Sequence, residues 1–167
     1  MNYVTKQTLL GLPLVHITTG SIVEGKFRRG IAKGWIAIGD ISFGILFSLG
    51  GVAFGGIAVG GLGVGVLAIA GLAVGGFALG GAAVGILAYG GAAFASYAAI
   101  GGSAIAREYA QGGLAIANHA NDSMAKMFFE KSKFFSLAKA PAQYSRWLLL
   151  LVLIPVIQNL KRKNKKT

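Results

Sequence analysis

Residues 50–81 read GGVAFGGIAVGGLGVGVLAIAGLAVGGFALGG, almost wholly glycine, alanine and large apolar side chains. Divided into fives, the chain from Gly51 to Ala95 becomes GVAFG, GIAVG, GLGVG, VLAIA, GLAVG, GFALG, GAAVG, ILAYG and GAAFA. The consensus is G-φ-A-φ-G, where φ is a large apolar residue. WIAIG and DISFG (35–44) join the frame after a one-residue slip at ILFSLG, and GSAIA (102–106) and GLAIA (113–117) continue it after further slips.

Two folds compete for such a run. Residues 41–106 carry no charge, which is room for about three transmembrane helices of ~20 residues. Glycine at roughly every second or third position opposes this, at up to ~1 kcal/mol each relative to alanine. A five-residue step turns ~500° around a helix, so the glycines would spiral over every face. Nor does any polar loop divide the run into spans. In a parallel β-helix, by contrast, φ-A-φ makes a short strand and the glycine pair a corner, where positive φ and close backbone approach are cheap. The expected corner glycines are Gly55, Gly56, Gly60, Gly61, Gly75, Gly76, Gly80 and Gly81.

The units GIAVG, GLAVG and GFALG resemble the pentapeptide-repeat proteins. That resemblance implies a right-handed parallel β-helix, four-sided, with about 20 residues per coil. The opening GLPLVHITTG and the stretch AKGWIAIGDISFG resemble bacterial membrane proteins with hydrophobic Gly/Ala-rich five-residue repeats. Neither resemblance implies an activity. With coils of that size, the uncharged run makes about three coils, ~15 Å high, and the whole repeat about four, ~20 Å.

The expected fold class is therefore mainly β, a quadrilateral solenoid with an N-terminal β cap and C-terminal α-helices. Residues 1–34 form the cap, 35–121 the hydrophobic β-helix, 122–140 an amphipathic helix, and 141–167 a hydrophobic anchor helix with a basic tail. Strand alternation sets alanine opposite its φ neighbours, but leaves the phase open. If Val52, Ile57, Leu62, Leu67, Leu72 and Phe77 fill the core, then Phe54, Val59, Ile69, Val74, Leu79 and Tyr89 share it or face outward. Pentapeptide repeats carry polar residues on the outside, and this repeat has almost none. Its exterior is apolar either way, beyond what soluble monomers expose.

Charge agrees with an oily setting. The net charge is +11, and charged residues are 13% against 54% hydrophobic; mean hydropathy is +0.66. The bases lie before Asp40 and from Arg107 onward, flanking the apolar block. That is a membrane distribution, not the single basic face of a nucleic-acid binder, and no nucleic-acid partner is expected. MNYVTKQTLLGLPLVHITTG lacks the plan of a cleavable signal peptide, which suggests entry from the cytoplasmic side.

Ser123 or Asp122 caps the expected helix NDSMAKMFFEKSKFFSLAKAP, with Met124, Met127, Phe128, Phe135 and Ala138 near one face. The following WLLLLVLIPVIQNLKRKNKKT offers Trp147, Lys161, Arg162, Lys163, Lys165 and Lys166 to lipid headgroups. Arg107 and Glu108 break the apolar register, as polar gates or as the point where the repeat leaves lipid. His16 reads as a structural hydrogen-bonding residue.

Catalytic signatures are missing. GGLGVG is followed by neither GK[ST] nor a ribose-binding acid, and no nucleophile elbow or metal spacing appears. No catalytic residue, metal ligand or cofactor is expected. The expected role is a non-enzymatic membrane-embedded scaffold or assembly module, with membrane lipids, a further copy or another membrane protein as partners. Its expected place is a bacterial inner membrane, with the basic tail cytoplasmic. The alternatives are a subunit of a pore or transporter, gated by Arg107 and Glu108, and a self-associating soluble solenoid.

Overall fold

A computed structural model describes residues 2–5, 7–23 and 26–139. The protein is mainly β, with two short helices near the C-terminus. The strands are β1 (Asn2–Val4), β2 (Thr8–Leu9), β3 (Leu12–Pro13), β4 (Val15–Thr18), β5 (Ser21–Val23), β6 (Lys26–Arg28), β7 (Ile31–Ile105), β8 (Tyr109–Ile116) and β9 (His119–Ala120). The helices are α1 (Ser123–Lys131) and α2 (133–139). By compactness the chain divides into two units, Met1–Phe128 and Phe129 onward.

β2–β3 and β5–β6 are small antiparallel pairs. The main sheet runs β1-β4-β7-β8-β9 and is mixed. β1 lies antiparallel to β4, while β4 pairs parallel with residues 36–39 of β7.

β7 is not one extended rod. Its 75 residues would span roughly 250 Å if straight, yet its glycines touch carbonyls ten or eleven residues earlier. Gly60 lies against Gly50, Gly80 against Ala70 and Gly90 against Gly80, all at ten; Gly50 lies against Gly39 and Gly101 against Gly90, at eleven. β8 continues the eleven-residue step, pairing Ala99 with Ala110 and Ala104 with Ala115. The eleven-residue steps fall where ILFSLG and the residues after Ala95 slip the five-residue frame.

The recurrence is thus ten residues where a four-sided coil needs about twenty. Two five-residue units separate most of these residues from the one stacked against them. At that spacing roughly six and a half repeats fit between Asp40 and Arg107, against about three for a coil of twenty.

Alanine is what points inward. Ala53, Ala73, Ala83 and Ala93 from alternate units, and Ala58, Ala68, Ala78 and Ala88 from the units between, are all fully buried. Most of them belong to one continuous cluster, with Ala99, Ala104 and Ala110 at its far end. Ser42 and Ser48 hold the same inward register at the near end. They are fully buried, and their hydroxyls donate to the carbonyls of Val52 (3.5 Å) and Ile57 (3.4 Å). With alanine inward, strand alternation turns the φ residues on either side of it outward.

The expected helix over 122–140 is interrupted at Ser132. The Asp122 carboxylate caps α1, accepting from the Ala125 N–H at 2.7 Å. Ala125, Phe129, Phe135 and Ala138 are the buried apolar residues of this segment, and the Phe129 and Phe135 rings meet edge-on at 4.8 Å. Met124 and Met127, expected on the apolar face, are about half exposed, because the break at Ser132 resets the helical phase.

Candidate functional site: the apolar wall and its polar ends

The residues expected to face lipid or core all sit on the outer wall. Ile69 and Val74 are exposed, while Phe54, Val59, Leu79 and Tyr89 are half-buried by their neighbours along the wall. The residues considered as core fillers are there too: Ile57, Leu72 and Phe77 are about 40% exposed, and Val52, Leu62 and Leu67 half-buried. Both φ columns of each five-residue side are outside, so no large side chain of the repeat fills the interior.

The geometry at the glycine pairs is one of close approach rather than of positive φ. Among the described glycines only Gly11, outside the repeat, has positive φ. Glycine is required instead by close approach. A Cβ on Gly55, Gly60, Gly75 or Gly80 would overlap the carbonyl oxygen of the residue stacked before it (Gly44, Gly50, Gly65 and Ala70 respectively). The second glycine of each pair is less confined: a Cβ on Gly61 or Gly81 would lie 2.9 or 3.1 Å from the Gly51 or Gly71 oxygen, on Gly56 2.9 Å from that of Ile45, and on Gly76 3.2 Å from that of Val66. Val66 and Ile86 occupy the same register as Gly56 and Gly76, with their side chains in the open.

Two shallow hollows lie along one corner of the wall. The first, ≈ 530 Å³, is lined by Phe43 and Phe54 over Gly44 and Gly55, with Lys33 at its edge. Its two rings stack at 5.1 Å, 7° from parallel. The second, ≈ 500 Å³, is lined by Val74, Val84, Phe94 and Ile105 over Gly75 and Gly85.

The near end is tied by polar contacts. Oδ2 of Asp40 accepts the N–H groups of Gly20 and Gly30, each at 2.9 Å, so the acid that opens the uncharged run holds two loop backbones to it. The sequence marked Asp40 only as a boundary; its loop partners, far off in the chain, gave no local signal. Nδ1 of His16 accepts the Lys33 N–H at 3.0 Å, the structural role expected of it. The Trp35 indole donates to the Leu9 carbonyl at 2.9 Å.

At the far end Arg107 and Glu108 approach each other at 3.8 Å, the arginine side chain 83% exposed. Both lie in the short connection between β7 and β8. Glu108 also accepts from Asn118 at 3.3 Å. His119 stacks on Tyr109 at 5.5 Å, and Phe128 stacks on Tyr109 at 4.4 Å. His119 Nδ1 lies 2.8 Å from the Asp122 carboxylate. The Ala125 N–H, and then His119, hold the Asp122 carboxyl below its ordinary range.

No family model, curated protein or solved structure matches the chain. Function has to be argued from the wall itself. Among the described residues no helix is long and apolar enough to cross a membrane, which says nothing of crossing by strands. No metal-binding group of side chains occurs among them. The expected headgroup contacts Trp147, Lys161, Arg162, Lys163, Lys165 and Lys166, and the anchor helix 141–167, lie outside the described residues.

Proposed function

We propose that the protein is a non-enzymatic, membrane-embedded β-solenoid that serves as a scaffold or assembly module. In this reading β7 and β8 form coils of ten to eleven residues, wound right-handed as parallel crossovers are. The observation that carries the reading is the inverted packing: alanine fills the interior, and valine, leucine, isoleucine and phenylalanine cover the outside. A wall of this kind, rising ~31 Å between Asp40 and Arg107, matches a ~30 Å hydrocarbon core. Backbone groups along the side walls pair between coils, so the stack avoids the penalty that unpaired amides incur in lipid.

Asp40 with Lys33 at one end, and Arg107 with Glu108 at the other, then fall in the two headgroup regions. A conducting path along the stack axis would be blocked by the alanine columns, so Arg107 and Glu108 are better read as interfacial residues than as gates. The basic tail at 161–167 would sit on the cytoplasmic side of a bacterial inner membrane, following the positive-inside rule.

The test is flotation of the full chain with phosphatidylcholine vesicles after carbonate washing, followed by circular dichroism of the floated fraction. Floated protein with a β-dominated spectrum is expected. Release into the aqueous phase as a monomer would refute membrane embedding, and a mainly helical spectrum would refute the solenoid.

A further inference from the structure

The two hollows share one register. Phe43, Phe54, Val74, Val84, Phe94 and Ile105 succeed one another at steps of ten or eleven residues, or twice that, along one outer column. Gly44, Gly55, Gly75 and Gly85 follow the first four as their floor, and Ala95 takes that place after Phe94. Val64 and Gly65 bridge the gap: Gly65 is seated against the Gly55 oxygen, and Gly75 against that of Gly65. The two hollows therefore lie in one register, and on the solenoid reading they would be two stretches of one groove parallel to the stack axis. It runs roughly six steps, ~29 Å. At Gly55, Gly75 and Gly85 the floor is bare backbone, where a Cβ would overlap the carbonyl oxygen of Gly44, Gly65 or Gly75; at Ala95 it carries a methyl.

One end of this groove is charged. Lys33 edges the hollow beside Phe43, and its side chain has no ion-pair partner among the described residues. The nearest acid in sequence, Asp40, is engaged by two backbone N–H groups. Toward the other end, Ile105 lines the second hollow, and Arg107, two residues on, lies 3.8 Å from the Glu108 carboxylate. The result is an apolar slot with, at one mouth, a cation that has no ion-pair partner among the described residues.

We propose that this groove holds one acyl chain of an anionic phospholipid, with the phosphate on the Lys33 ammonium. The inference rests on the membrane reading above and adds to it a defined site and a headgroup preference. Chain methylenes would fill the space above the glycines, where neither a side chain of the protein nor water is well suited. The lysine selects negative headgroups, and does so in only one leaflet.

The experiment uses the full chain in phosphatidylcholine vesicles containing a trace of spin-labelled phosphatidylglycerol or, separately, spin-labelled phosphatidylcholine. Electron spin resonance reads the motionally restricted fraction per protein. Restricted phosphatidylglycerol should exceed restricted phosphatidylcholine about fivefold, the preference of one basic side chain at a lipid surface. Lys33→Gln should bring the ratio close to one, and Lys133→Gln should leave it unchanged. Val84→Trp, on the exposed wall, should reduce restriction of both probes. The proposal is overturned if floated β-rich protein shows no anionic excess, or an excess that survives Lys33→Gln. Disulfide linking of Val84→Cys between copies in the bilayer, made clean by the absence of native cysteine, would give the groove to a second copy and overturn it too. If the chain fails to float at all, the membrane reading falls as well, so the two failures are distinguishable.

Discussion

The unit GLGVG (61–65) carries glycine at the inward position where its neighbours carry alanine, and the next unit, VLAIA (66–70), ends in alanine where its neighbours end in glycine. These departures are coupled in space. A Cβ on Gly63 would lie 3.0 Å from the Ala70 Cβ and 3.2 Å from the Ala58 oxygen, and Ala70 is itself buried. The Ala70 methyl therefore occupies the room that a methyl at 63 would take. Gly63→Ala restores the consensus yet overpacks the core, at about 1–3 kcal/mol, offset by ~0.4–1 kcal/mol from the stiffer unfolded chain. Ala70→Gly also restores the consensus. It removes a buried methyl worth ~0.8 kcal/mol and adds a flexible strand residue at ~0.5–1 kcal/mol. Added together, the single changes predict a loss of about 1–4 kcal/mol, whereas the double variant conserves volume and should lie within ~1 kcal/mol of the parent. The coupling should be about 1–2 kcal/mol, within the range for residues in contact. Chemical denaturation of the four proteins in one detergent, followed by circular dichroism, measures it. A double variant as unstable as the summed singles would refute the shared-space account.

Two further outcomes follow from single contacts. Gly75→Val should prevent folding, since even a methyl there overlaps the Gly65 carbonyl. Gly76→Val, one residue on and in the register of Val66 and Ile86, should cost no more than about 1 kcal/mol in the same denaturation assay. Protonation of Asp122 should release the first turn of α1: a carboxyl whose folded pKa is depressed contributes stability above its unfolded pKa and loses it as pH falls through the folded one. Ring signals of Tyr109 and Phe128, followed by NMR, should show an acid transition below about pH 4. The Asp122→Asn variant should lack that acid transition. Its persistence would mean that another group controls the turn.

How much of this was legible in the residues follows from what a five-residue period can and cannot encode. Paired glycines every five residues rule out helices and demand repeated close approach, and the one-residue slips at ILFSLG and after Ala95 mark the eleven-residue steps. The number of units per circuit is not in the period, since two units or four repeat equally well. The decisive clue was side-chain size. A four-sided coil needs large residues inside to fill it, and the only inward candidate common to almost every unit is alanine. Assigning the φ residues even partly to the core followed the habit of soluble proteins, where water favours burying the larger side chain. Asp40 escaped because its partners, Gly20 and Gly30, are backbone groups that leave no trace in the residue pattern.

The inverted packing also limits what can stabilise the stack. Burial of an alanine methyl contributes ~0.8 kcal/mol, far less than burial of a leucine, so an alanine interior offsets little of the entropy lost by ordering each ten-residue circuit. The remaining stabilisation must come from the hydrogen-bonded ladder and from whatever covers the wall. In water the ladder competes with solvent for every amide, and the exposed φ columns gain nothing. In hydrocarbon an unpaired amide is costly, so the ladder becomes the favoured arrangement, and the φ columns meet a medium as apolar as themselves. On the membrane reading proposed above, the same alternation that makes a poor soluble core would make a coherent lipid-facing one, and the proportions of alanine to φ in each unit would suit that environment.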